Sequence, residues 1–235
     1  MIMWVILVAY YPVVMHFVKS EQSAERCVGV APDVHAQGDM LINESGLLKL
    51  MKGECPEIVG KRLKDLDYAS IERQIEKHPV VRRCEAYPTI DGRVHVEIYQ
   101  RQPIMRVFGS EGSYYMDAEG YKITAKSDMR THTLIVNGSV NTMLDTEGLV
   151  RLCRYIDRDK FWHSMIEQVN VTPRHEYVLV PRVGDHVIEF GTADDMEQKF
   201  SDLHSLYKNG WDEREWNIYK RVNVKYKGQI VCTKR

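Results

Sequence analysis

What this sequence lacks narrows its function before any element is placed. Only five of its 235 residues are cysteine (Cys27, Cys55, Cys84, Cys153 and Cys232), and no two form a Cys-x-x-Cys pair. That argues against a zinc ribbon or a thioredoxin-type site and favours small, buried apolar thiols. If the bulk is exported a disulfide is open to it, with the odd count leaving at least one thiol over. The nine histidines are scattered, and none stands four residues from another on a helix, where two imidazoles would face one metal. Phosphate-cradling glycine loops, the Gly-x-Ser-x-Gly elbow and His-Glu-x-x-His are all missing. With 15 Gly and 8 Pro the chain is neither collagen-like nor of low complexity. Neither sign of charge dominates: 32 Lys and Arg against 33 Asp and Glu leave a net charge of -1. A protein that holds nucleic acid by a general positive excess is not indicated.

One absence is local. Met1 to Val18 contain no Asp, Glu, Lys or Arg, and the first charge is Lys19. As a helix this run would span about 27 Å, just short of the ~30 Å hydrocarbon core. Trp4, Tyr10 and Tyr11 are rings that favour the membrane interface. Residues 1–19 are expected to be an uncleaved transmembrane helix. A cleaved signal peptide is the alternative, but no basic residue precedes the run. A buried core helix would show one polar face, and this stretch shows none.

What is present beyond residue 19 is ordinary globular patterning, 44% hydrophobic and 28% charged over the chain. Cys27 to Val34 reads as a strand ending near Pro32. Asn43 is placed to cap a helix carrying Leu47, Leu48, Leu50 and Met51. Asp67 is placed to cap a second, with Ile71 and Ile75 on its apolar face and Pro79 at its end. Val80 to Thr89 and Arg93 to Gln100 read as strands joined at Asp91-Gly92, with Val94, Val96 and Ile98 on one face. Two helices on a three-stranded sheet bury both stripes, an α+β solution. This unit is assigned to residues 20–108.

Residues 109–235 read as a larger, antiparallel β domain with flanking helices. Short strands are expected at Tyr114–Met116, Tyr121–Ala125 and Thr133–Asn137, then a helix from Asp145 with Leu149, Leu152, Cys153 and Ile156 inward. A helical turn near Phe161 follows, then strands at Ile166–Thr172, Tyr177–Pro181 and His186–Phe190. Thr192 and Asp195 have capping-box spacing before a helix with Met196, Phe200, Leu203 and Leu206 on one stripe. Terminal strands are expected at Arg221–Tyr226 and Gln229–Cys232, turning at Lys227-Gly228.

No set of side chains adds up to a reaction. Asp194 and Asp195 are neighbours in a first helical turn, where acid matches the helix dipole. His78, His163, Ser45, Ser70 and Ser164 have no partner sets that sequence can place. No catalytic residue, metal or cofactor is expected. The interaction signal lies at the end: Lys208 to Arg235 hold eight basic and three acidic residues, +5 against -6 for the remainder. An edge strand guarded by lysines and an edge offered to an acidic, extended partner both fit that pattern.

Several segments together resemble the FtsQ/DivIB family of bacterial cell-division proteins. Leu66 to Val81 looks like the second helix and following strand of its POTRA domain, and Arg93 to Arg106 like the strand after it. Tyr115 to Gly120 is similar to the turn that opens the family's β domain. Val187 to Gly191 with the helix to Tyr207, and Val222 to Val231, resemble its later parts. The resemblance implies a non-enzymatic inner-membrane protein, single-pass, with its bulk in the periplasm. It would scaffold the divisome, linking early division proteins to FtsB and FtsL and so to septal peptidoglycan synthesis, with its POTRA domain meeting other division proteins. FtsB would add a strand to the last strands of the β domain. By position the partner-binding set would be Arg174, Arg221, Asn223, Lys225, Tyr226, Gly228, Gln229 and Val231. A POTRA-bearing export or assembly factor is the alternative, although the sequence has no series of lipid-facing barrel strands.

Overall fold

The computed structural model describes residues 25–54, 58–109, 112–124, 131–140, 143–211 and 216–235. The chain divides into two compact units, one ending at Arg101 and the other starting at Gln102. The anchor expected at 1–19 and Cys55 lie outside the described residues. No helix among those described is long and apolar enough to cross a membrane.

The first unit is built as its pattern predicts. Strand β1 (Gly29–His35), helices α1 (Glu44–Glu54) and α2 (Tyr68–Glu76), and strands β2 (Val81–Pro88) and β3 (Arg93–Gln100) follow in order. The three strands lie in the order β1-β3-β2, with β1 parallel and β2 antiparallel to the central β3. Both caps form: Asn43 Oδ1 accepts the Gly46 N–H at 2.8 Å, and Asp67 Oδ1 accepts the Ser70 N–H at 3.0 Å. Leu47, Met51, Ile71 and Ile75 from the helices meet Val94, Val96 and Ile98 of β3 in one core. The strand β1 runs past Pro32 to His35, further than expected. It is an edge strand, where a missing N–H is tolerated.

Among its described residues the second unit holds a nine-stranded sheet and three α-helices. Its strands are β4 (Pro103–Gly109), β5 (Gly112–Asp117), β6 (Lys122–Thr124), β7 (Leu134–Gly138), β8 (Ile166–Val171), β9 (Tyr177–Pro181), β10 (Val187–Gly191), β11 (Tyr219–Asn223) and β12 (Val231–Lys234). They lie in the order β12-β11-β10-β9-β8-β7-β4-β5-β6. The sheet is mixed, which corrects the antiparallel expectation. Strand β7 runs parallel to both β4 and β8, and β11 runs parallel to β10. The reason lies in the connections. Helices α3 (Met143–Arg158) and α4 (Lys160–Met165) separate β7 from β8, and α5 (Met196–Ser205) separates β10 from β11. A helix between neighbouring strands carries the chain back to start the next strand in the same direction.

Two smaller differences concern element boundaries. Residues 103–108, expected in the first unit, form β4 and pair with β5 and β7 in the larger sheet. The capping box at Thr192 does not form. Thr192 Oγ1 donates to Asp194 Oδ2 at 2.7 Å, and Asp195 takes the N-cap position in the left-handed region, φ +49°. The Thr192 carbonyl accepts from Lys199 Nζ at 2.8 Å.

Leu149, Leu152, Cys153 and Ile156 of α3 and Phe200 and Leu203 of α5 are buried against Val169, Leu179, Ile188 and Phe190 of the sheet. Tyr155 stacks on Phe200 with ring centres 4.5 Å apart. None of Cys27, Cys84, Cys153 and Cys232 is in a disulfide. Burial pushes the Cys153 thiol far above its usual range, so it is an inert apolar side chain.

Gly138, at the end of β7, has φ +103°, and a Cβ there would lie 2.1 Å from the Val171 carbonyl oxygen of β8. A Cβ on Gly109 would have nothing closer than 3.8 Å. Gly138→Ala is therefore expected to destabilise the second unit by at least about 2 kcal/mol in denaturant unfolding, and Gly109→Ala by less than about 1. Equal effects would contradict the packing at this corner.

Candidate functional site: the open edge of the larger sheet

A strand with one neighbour leaves half of its main-chain polar groups unanswered. In the second unit β12 is such a strand, paired among the described residues with β11 alone. The pairing is antiparallel, with Val222 opposite Cys232 and Asn223 opposite Val231. The Arg235 N–H donates inward to the Ile218 carbonyl at 3.1 Å. Because N–H and C=O directions alternate along an antiparallel strand, Thr233 and Val231 also face β11, while Cys232 and Lys234 direct theirs off the edge.

The support behind this edge is aromatic. The chain leaves α5 through one π-helical turn, Leu206–Gly210, which carries the buried Tyr207. The rings of Trp211 and Tyr219 stack at 5.0 Å, and the Tyr207 ring meets Trp216 edge-on at 5.8 Å. His186 Nε2 and the Tyr207 hydroxyl are 2.5 Å apart. His186 is 1% exposed, and burial lowers its pKa below the usual histidine value, so it is neutral here at pH 7. Val222 and Val224 are buried on the core side, which fixes the register of β11.

The strand boundaries differ from those expected. The strands are 219–223 and 231–234, not 221–226 and 229–232. Asn223 ends β11 early: its Oδ1 accepts the Lys225 N–H at 3.0 Å, a local turn that competes with the ladder. Lys225, Tyr226, Gly228 and Gln229 therefore sit in the connection between β11 and β12 and not on a strand. Gly228 has φ +73° there, and the Gln229 N–H donates to the Tyr226 carbonyl at 3.4 Å.

The candidate residues fall into two groups. One group is engaged within the unit. Arg221 Nη1 lies 3.1 Å from Glu189 Oε1, and Asn223 Nδ2 donates to Glu189 Oε2 at 2.8 Å, so one carboxylate of β10 holds two residues of β11. Lys225 Nζ donates to Glu176 Oε2 at 2.6 Å, and its stem lies over Gly191, where a Cβ would come within 3.1 Å of Lys225 Cγ. The other group faces outward: Tyr226 is 60% and Val231 49% exposed. Arg174 is exposed in the turn between β8 and β9, two residues before Glu176. The Glu176–Lys225 pair brings that turn to the same end of the sheet as the β11–β12 connection.

The expected partner-binding set leaves out Cys232, Thr233 and Lys234 of the edge strand, of which only Cys232 was expected on a strand, and also Arg235, which pairs with Asp185 at 3.2 Å. Their signal was the basic, alternating end of the chain, read two residues too early. Elsewhere in this unit, a concavity of about 420 Å³ lies between α3 and the start of α5, lined by Arg151, Arg154, Tyr155, Arg158, Asp159 and Met196. Arg151 and Arg154 there hold the Ala193 and Ala118 carbonyls. No group of His, Cys, Asp and Glu able to hold a metal occurs among the described residues.

Comparison with known families agrees with the division of the chain. Residues 102–233 match the family model described as FtsQ/DivIB, C-terminal related. Residues 25–99 match the POTRA-like domain. No curated protein is similar enough to the chain to count as a match.

The Lys225–Glu176 pair is partly buried, with side chains 27% and 30% exposed. Lys225→Ala and Glu176→Ala are each expected to destabilise the second unit by about 1 kcal/mol. The double variant should lose less than the sum in a double-mutant cycle. Strict additivity would mean that the pair does not hold the turn.

Proposed function

The chain belongs to the FtsQ/DivIB-related family, and from that premise we propose that it is a non-enzymatic scaffold of the bacterial division machinery that binds partners through the β12 edge. The family assignment carries the role in cell division. The partners proposed are FtsB, by strand addition, and through it FtsL, with other division proteins meeting the POTRA-like unit. Residues 1–19 would anchor the chain in the inner membrane by a single pass, leaving its bulk in the periplasm.

The observation that supports strand addition is the outward direction of the Cys232 and Lys234 main-chain groups, beside the exposed Val231 and Tyr226. A partner strand would complete the ladder there and cover both apolar side chains. Charge narrows the partner further. Arg221, Lys225 and Arg235 are already matched by Glu189, Glu176 and Asp185. Lys220, Lys227 and Lys234 are exposed and form no ion pair with any described residue. Acidic side chains of the partner would meet these three.

Lys234 separates the two contributions. Lys234→Gln removes the charge and keeps the outward N–H, whereas Lys234→Pro removes both and breaks no β11–β12 bond. Titrated with the periplasmic part of FtsB, Lys234→Pro should bind at least about fivefold more weakly than Lys234→Gln, the worth of one hydrogen bond of about 1 kcal/mol. Binding equal to that of Lys234→Gln, with the fold intact by circular dichroism, would exclude main-chain recognition at this edge.

A further inference from the structure

The first unit carries its most exposed apolar side chains at one end. Ile90 is 98% exposed, Val28 67% and Val59 63%. Main-chain bonds bring their segments together. The Val28 N–H donates to the Gly92 carbonyl at 2.8 Å, across from the β2–β3 turn that bears Ile90. The Cys27 carbonyl accepts the Gly60 N–H at 2.8 Å, and the Cys27 N–H donates to Lys61, next to the segment bearing Val59. A Cβ on Gly92 would touch Val28 at 3.6 Å, so the Val28 side chain lies against that turn. Three apolar side chains thus crown the end from which β1 and β3 both start. Exposed Arg26, Lys61, Arg62 and Arg93 stand around them, against Glu25 and Asp91.

Such a crown is unexplained by the core, which closes beneath it with Cys27 and Ile58 buried. What covers it follows from where the chain comes from. The uncharged run Met1–Val18 lies seven residues before Glu25, the first residue described. Seven residues reach at most about 24 Å. If the run is embedded in a bilayer, this end of the unit is held close to the lipid surface.

We propose that the Val28, Val59 and Ile90 end of the POTRA-like unit seats on the membrane surface, its apolar side chains in the headgroup region and its arginines and lysine at the lipid phosphates. The proposal rests on the anchor reading of residues 1–19. Apolar tips flanked by basic groups favour that layer, the charges being drawn to anionic lipid and the side chains to the acyl boundary. The seat orients the unit: β1, seven residues and about 23 Å long, points away from the bilayer and places Gln37 at the far end.

The test uses the full chain reconstituted in vesicles of phosphatidylethanolamine and phosphatidylglycerol. Cys55 and Cys232 are changed to Ser; Cys27, Cys84 and Cys153 are buried and stay. One environment-sensitive fluorophore is attached at Ile90→Cys, or at Gln37→Cys as the distant control. Resistance to carbonate extraction reports whether the chain is inserted. The expected result is an inserted chain in which a doxyl-labelled lipid quenches the Ile90 probe at least threefold more than the Gln37 probe, with a blue-shifted emission. Equal quenching in an inserted chain overturns the seat and leaves the anchor standing. A chain that is extracted overturns both.

Discussion

The unanswered main chain of β12 is the constraint on which the account of this protein depends. Eight of the nine strands in the larger sheet are held between others or, in the case of β6, lie at the far edge. At β12 the ladder stops with N–H and C=O groups pointing into solvent. Natural edges of this kind are usually blunted by lysine, shortness or bulges. This one uses the first two, and its neighbour carries the third. It has four residues, a register shift between Tyr219 and Arg221 in its neighbour, and Lys234 at its end. Those features limit indiscriminate pairing while leaving room for a partner that supplies acid at the right positions.

Charge takes on a different meaning once the structure is in view. A net charge of -1 conceals a C-terminal segment of +5. Yet much of that excess is not offered outward. Glu189 of β10, Glu176 of the β8–β9 turn and Asp185 of the β9–β10 turn neutralise three of its cations and tie the end of the chain to the sheet. Lys225 is therefore first a structural residue, holding the β11–β12 connection against the β8–β9 turn. A charge change there alters the scaffold as well as any partner contact, whereas Lys220, Lys227 and Lys234 are separable from the fold. The internal pairs tie the edge to the sheet, and on the proposed function the remaining lysines would give it selectivity.

Much of this was legible in the sequence, and each exception has a physical cause. Local rules located the first unit: Asn43 and Asp67 as caps, Asp91-Gly92 as the turn, and Val94, Val96 and Ile98 as the inward face. The inward residues of α3 were equally clear from their spacing. Part of what failed depended on partners distant in sequence, and part on side chains that close local turns. The direction of β8 relative to β7, and of β11 relative to β10, follows from the helices between them, not from the strands' own composition. For Pro103 to Val107 it is the pairing with β5 and β7 that assigns them to the second unit. Thr192 and Asp195 have the spacing of a capping box, but the helix starts only at Met196 with Asp195 itself as N-cap, and Thr192 Oγ1 binds Asp194 instead. At the candidate site, alternation from Val222 to Tyr226 suggested a longer strand than forms, because the Asn223 side chain closes a turn that periodicity cannot show. The edge was expected at the right end of the chain and placed two residues early.

Amide hydrogen exchange on the second unit, with and without the periplasmic segment of FtsB, tests the central claim most directly. If the partner adds a strand to β12, the amides of Cys232 and Lys234, which have no acceptor in the sheet, should exchange rapidly alone and become protected in the complex. Those of Val231 and Thr233, directed at β11, should change far less. A complex in which Cys232 and Lys234 exchange as fast as before, while protection appears elsewhere, such as at the β6 edge, would contradict docking on this strand.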